Sequence, residues 1–172
     1  MKLILVGRDG VVSERGRRVV SRVDEFKPFS GAVNALGQLS QSGYRIIVFN
    51  RENQPGRYIE HLHAIHEKLR LQVVEAGGEI ELFCWASGRQ SWRTLFRDIS
   101  ERFRASLQDV PVITDSREVI GAVQPFRARP MLVRTGHGKK SQAELDTSDA
   151  VMLFPNLVAA AEMLVDQRSR MI

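Results

Sequence analysis

Leu3-Ile4-Leu5-Val6-Gly7-Arg8-Asp9-Gly10-Val11-Val12 is the stretch on which the fold of this chain turns. Four consecutive apolar residues followed by a charged, glycine-bearing turn predict a fully buried parallel strand that delivers a loop at its carboxyl end. Open α/β sheets place their ligands at that end. Beyond it, apolar runs alternate with helical stretches, the mark of a parallel α/β sheet. Strands are expected near 2–6, 44–49, 80–84, 110–114, 130–134 and 150–153, and helices near 30–42, 57–76, 91–105, 117–123 and 155–167. Gly43 and Gly77-Gly78 stand where helices stop, and Pro155 suits the first turn of the last helix. Residues 13–25 read as a flap-like excursion, and the tail 166–172 as frayed.

At 172 residues with 43% hydrophobic content, one domain over 1–172 with a sizeable core is expected. No segment reaches the roughly 20 apolar residues of a membrane span. Leu3 to Val6 is too short for a signal peptide, and the lone cysteine, Cys84, rules out an intramolecular disulfide. Together these favour a cytoplasmic protein. The net charge of +5 rests mainly on arginine, in Arg15-Gly16-Arg17-Arg18 and in Arg89, Arg93, Arg97, Arg102, Arg104, Arg127 and Arg129. A solvated surface accounts for such charge; the sharper reading is contact with phosphate-bearing ligands or nucleic acid.

The opening segment resembles the first motif of the haloacid-dehalogenase superfamily, most closely its heptose-bisphosphate and histidinol-phosphate phosphatase branch. That branch reads Asp-Arg-Asp-Gly where this chain reads Gly7-Arg8-Asp9-Gly10. The likeness extends through Pro28 to Leu36, Gly43 to Asn50 and Leu132 to Lys139, covering roughly Lys2 to Leu164. It implies a Rossmann-like α/β fold, a parallel sheet sandwiched by helices with little or no cap. It also implies roles for particular residues. The nucleophile position is Gly7, which has no side chain to phosphorylate, and Asp9 matches the general acid/base. Asn50 and, more loosely, Arg89 match phosphate-binding positions, while Phe49 stands where the branch has a hydroxyl. Asp115 matches a magnesium ligand, with Val119 in place of a second acid and Glu118 beside it. Members of the branch often carry a zinc loop, for which Cys84 alone is insufficient, so no zinc is expected and magnesium is expected to be absent or weak.

Other features have plainer readings. His61, His63 and His66 lie on one helix, with His63 and His66 sharing a face. A polar face explains them more simply than a metal site. Trp85 and Trp92 flank a shortened loop, either as packing or as a partner-binding patch. On the missing nucleophile, the first expectation is a catalytically silent pseudophosphatase that binds a protein partner, a phosphorylated small molecule, or both. The alternatives are an active sugar-phosphate phosphatase of the heptose-bisphosphate type and an arginine-rich nucleic-acid-binding protein.

Overall fold

The structure, a computed structural model, describes residues 2–15, 22–53, 55–146 and 150–169, with the backbone alone at 55–58 and 168. Six strands alternate with helices: β1 Lys2–Gly7, α1 Ala32–Gln41, β2 Tyr44–Glu52, α2 Pro55–Glu75, β3 Ile80–Ser87 and α3 Trp92–Phe103, then β4 Pro111–Thr114, α4 Arg117–Val123, β5 Arg129–Val133, α5 Gly138–Ala143, β6 Met152–Phe154 and α6 Leu157–Ser169. Short 3-10 turns at Val23–Glu25 and Gln124–Phe126 complete them. The strands form one parallel sheet in the order β3-β2-β1-β4-β5-β6. The chain therefore starts at the centre, builds outward to β3, and returns to the other side of β1. The loops leaving β1 and β4 part in opposite directions and open a crevice between them.

The alternation of β1 explains why the sheet holds. Ile4 and Val6 face a core completed by α1, α2 and α6, with Leu36, Leu39, Ile65, Leu69 and Leu164. Leu3 and Leu5 face the opposite core, made with Leu95, Phe96 and Ile99 of α3 and Val119 and Val123 of α4. Each fully buried Leu or Ile contributes about 1.5–3 kcal/mol, so a strand buried on both faces anchors both layers. Gly7 ends this strand in register with Phe49 of β2. A strand this apolar ends at Arg8 because the following residues turn: Val12 and Ser13 donate their backbone N–H groups back to the Arg8 carbonyl.

Several expectations need adjustment. β2 runs to Glu52 and β3 to Ser87, further than their apolar runs suggest, because pairing between Asn50–Glu52 and Trp85–Ser87 continues the ladder. Pro155 is not in the last helix; Asn156 caps it, accepting the Ala159 N–H at 3.0 Å. The helix continues to Ser169, inside the tail read as frayed, while 170–172 lie outside the described residues. The short α5 had no expectation at all. Of the excursion 13–25, residues 16–21 lie outside the described residues; what is described is a bridge from Ser13 to Pro28 and the 3-10 turn. Among the described residues no helix is long and apolar enough to cross a membrane.

Candidate active site

A cleft of about 490 Å³ opens at the carboxyl ends of β1, β2 and β4. Its wall includes Gly7 and Asp9 from β1 and its loop, Asn50 and Arg51 from β2, and Asp115 after β4. Arg15 from the excursion, Trp92 at the start of α3 and Glu118 of α4 also line it.

Asp9 reaches the cleft from the turn after β1 and is held by its neighbour. Arg8 donates from Nε and Nη2 to the two Asp9 carboxylate oxygens, at 3.0 and 3.2 Å. The Arg8 side chain is only 1% exposed, which is costly for a cation unless every donor is matched. The structure matches them from β2 and α2. Nη2 also donates to Glu52 Oε1 at 3.1 Å, and Nη1 lies 3.1 Å from His66 Nε2. A guanidinium only donates, so Nε2 is the acceptor and the His66 proton sits on Nδ1. Burial, with the charges of Arg8 and His63, lowers the His66 pKa to about 3, so the ring is neutral. It stacks on Phe83 at 4.4 Å. Burial raises the Glu52 carboxyl above its ordinary value, against the pull of Arg8. His66 thus belongs to this buried network, a correction to the polar-face reading.

Asp115 is held differently. Its carboxylate packs on two backbones: a Cβ placed on Gly10 or on Gly136 would stand 2.0 and 2.3 Å from Oδ2. Both glycines adopt positive φ, 78° and 55°. Only glycine allows that approach and that conformation together. The His137 N–H donates to Oδ2 at 2.9 Å, and the Ser141 hydroxyl ties the Asp115 carbonyl to α5 at 2.7 Å. Arg15 then closes on the carboxylate, Nε to Oδ2 at 3.1 Å and Nη2 to Oδ1 at 2.9 Å. The same Nη2 donates to the Asp9 backbone carbonyl at 3.2 Å.

On the β2 side, Arg51 is fixed with its Nη1 donating to the carbonyls of Gly88 and Gln90, both at 2.9 Å. Its guanidinium lies over Trp92, 4.5 Å from the ring centroid, and 3.7 Å from Glu118. Sequence reasoning missed it because β2 was read as ending at 49. Strand alternation places it on the side of Phe49, against α3. Arg89, expected as the phosphate-binding cation, is exposed and not among the residues lining the cleft. The turn at Gly88 carries it outward, and Arg51 occupies the cleft wall. Arg15, read as surface charge, also belongs to the cleft.

Asn50 does line the cleft, but its amide nitrogen is committed to Glu52 at 2.7 Å. Its Oδ1 is buried without a partner among the described residues. Phe49 packs edge-on against Trp92 and Phe96, at 5.6 and 5.4 Å. Its ring tip would lie 3.7 Å from a Cβ on Gly7, ordinary contact. Val11 Cγ2 and the Ile113 carbonyl oxygen would stand closer to that Cβ, at 3.2 and 3.4 Å, so three groups wall the position beside Gly7. Val119 is buried beneath the same wall, its N–H capped by Ser116.

No family model matches the chain. Individual relatives match it almost end to end. It is 30% identical to the D-glycero-β-D-manno-heptose-1,7-bisphosphate 7-phosphatase of Pseudomonas putida, over 96% of this chain and all of that protein. The enzyme of the same name from Bordetella bronchiseptica is 28% identical over 97% and 99% of the two chains. A crystal structure of the B. bronchiseptica D,D-heptose 1,7-bisphosphate phosphatase, complexed with magnesium and phosphate, superposes with a TM-score of 0.91, covering 97% of this chain and 99% of that one. These relatives overturn the expectation of a catalytically silent scaffold: every one of them is a phosphatase. Gly7 removes one chemical route, whereas Asp9, Arg15, Arg51 and Asp115 all line the cleft.

Magnesium, present in that relative, finds a poor donor set here. Both Asp115 oxygens and the Asp9 carbonyl are already taken by Arg15. Among the described residues no three His, Cys, Asp or Glu side chains stand together as a metal site. As arranged, these donors fit a guanidinium and not an octahedral cation, which needs carboxylates free to coordinate.

Proposed function

The chain belongs to the haloacid-dehalogenase superfamily, in its heptose-bisphosphate phosphatase branch, and on that premise we propose that it hydrolyses a phosphomonoester of a sugar bisphosphate such as its relatives act on. The observation that carries this reading is the convergence of Asp9, Arg15, Arg51 and Asp115 on one cleft at the switch point of the sheet.

The chemistry follows from what lines that cleft. Residue 7 offers no side chain, so the attacking group is water in the cleft that Gly7 lines. Asp9 takes the water proton as its oxygen bonds to phosphorus. The ester P–O bond breaks on the far side, where the leaving alkoxide takes its proton from solvent, and Asp9 gives up the proton it accepted to the bulk water after the product phosphate leaves. Arg51 and Arg15, both lining the cleft, supply positive charge to the phosphoryl oxygens. Phosphoryl transfer asks mainly for position and charge, and a fixed guanidinium supplies charge to the transferring group.

Phosphate release from D-glycero-β-D-manno-heptose 1,7-bisphosphate tests this directly. Turnover is expected in the natural chain and a loss of about 100-fold or more in Asp9→Asn, the size of a general-base contribution. Release no faster than from Asp9→Asn, on this and other sugar bisphosphates, sinks the proposal.

A further inference from the structure

We propose that Arg15 takes the place of a divalent cation in this cleft, so that the phosphoryl group of the substrate is held by a guanidinium built into the chain and magnesium is not required. The proposal deepens the phosphatase reading and rests on it for the identity of the ligand.

The oxygen donors that converge here are three: the two Asp115 carboxylate oxygens and the Asp9 carbonyl. Arg15 engages all three, through Nε and Nη2. This is the geometry of a charge-assisted, bidentate fork on a carboxylate, extended by one carbonyl. The donors are rigid before Arg15 arrives, because Gly10, Gly136 and the His137 N–H already fix the carboxylate. Arg15 comes from the excursion after β1, not from the sheet, and its side chain remains about one-third exposed at 34%. Its Nη1 has no partner among the described residues, and the residue lines the cleft. A phosphate oxygen there meets the exposed part of a cation whose Nε and Nη2 are anchored.

A magnesium ion at the same donors meets three obstacles. It must displace the guanidinium, leaving a buried carboxylate and a positive charge to separate. It then finds one carboxylate where Gly7 supplies none. It also keeps its waters, which the cleft must accommodate beside a phosphate. Arg15 avoids all three, since its charge is covalently attached and its desolvation is partial.

Calorimetric binding of inorganic phosphate to the full chain, once in EDTA and once with excess magnesium, tests the proposal. Magnesium alone, followed by thermal shift, provides a second reading that needs no turnover. The natural chain is expected to bind phosphate equally in both buffers and to show no shift with magnesium. Arg15→Ala and Arg15→Gln are expected to lose about tenfold or more in EDTA, the scale of a charge-assisted pair. They should also acquire a magnesium-dependent thermal shift, because Asp115 and the Asp9 carbonyl are freed. Tighter phosphate binding by the natural chain in magnesium overturns the proposal, as does unchanged binding by both variants in EDTA. Phosphate binding intact in EDTA with no sugar-phosphate turnover leaves this inference standing and removes the hydrolytic reading instead. Turnover that stops in EDTA does the reverse.

Discussion

Asp9 and Asp115 face one cleft, and each is gripped by an arginine through two nitrogens, yet the two grips are unlike. Arg8 is buried to 1% exposure and joins Asp9 to Glu52 on β2 and His66 on α2. Arg15 is partly in water and joins Asp115 to nothing deeper than a backbone carbonyl. The first pair is part of the framework and orients its carboxylate by locking it to the core. The second rests on a carboxylate already fixed by glycines and an amide, so its arginine is free to serve the ligand. Position in the sheet makes this difference: Arg8 directly follows a buried strand, whereas Arg15 lies seven residues further along the excursion.

The contrast breaks most decisively at Arg8. Arg8→Ala leaves Glu52 and Asp9 without their shared cation inside the fold, and a loss of about 3–5 kcal/mol is expected in urea unfolding. A loss no larger than that of Arg15→Ala contradicts the division between framework and ligand-facing arginines.

Next is the rigidity of Asp115. Gly10→Ala places a methyl within 2.0 Å of Oδ2 at a φ of 78°, so strain of about 1–3 kcal/mol is expected. The carboxylate must also shift, so phosphate binding should weaken along with stability. Loss of stability with phosphate affinity unchanged argues that Asp115 needs no exact seat.

The Arg8 cluster should also write itself into the pH dependence of folding. His66 is neutral in the fold, with a pKa near 3 against 6.5 when free. The unfolded ring takes a proton that the folded one refuses, so stability is full above about pH 6.5 and falls as pH drops toward 3, by at most about 1.4 kcal/mol per unit. Glu52 has the opposite sign: its raised pKa adds stability below 4.5 that is lost as pH rises through the folded value, which partly offsets the His66 slope just above 4.5. Urea midpoints for His66→Gln, which keeps an acceptor for Arg8, should vary less between pH 6.5 and 5 than those of the natural chain. Parallel curves would remove His66 as the source. The smallest effect is expected at Arg15 itself. Arg15→Ala should cost about 1 kcal/mol or less, because water can reach the exposed side of the pair.

How much of this was legible in the sequence depends on whether backbone or side-chain reach decides the matter. The strands, their parallel order of appearance and the family likeness could be read because buried strands must be apolar. Asp9 and Asp115 could be placed because they match positions in the family's first and fourth motifs. Arg8, Arg15 and Arg51 could not. Nothing in Gly7-Arg8-Asp9 says that the arginine turns into the core, since that depends on Glu52 and His66 being waiting there. Arg15 looked like one of several surface charges, and only the course of the excursion brings it over Asp115. Arg89 was chosen from its loop, but β3 extends to Ser87 and the turn at Gly88 points it to solvent. Reading the missing carboxylate at Gly7 as loss of function gave one position more weight than the cleft around it.

Gly7 has a last consequence, for the handedness of the product. An enzyme that first moves the phosphoryl group to its own side chain and then to water displaces at phosphorus twice, and an isotopically chiral phosphate leaves with the configuration it brought. On the hydrolysis proposed above, a glycine at the head of β1 leaves a single in-line displacement by water, and the configuration is expected to invert. Reagents that mimic an aspartyl phosphate find no carboxylate at residue 7 to cap.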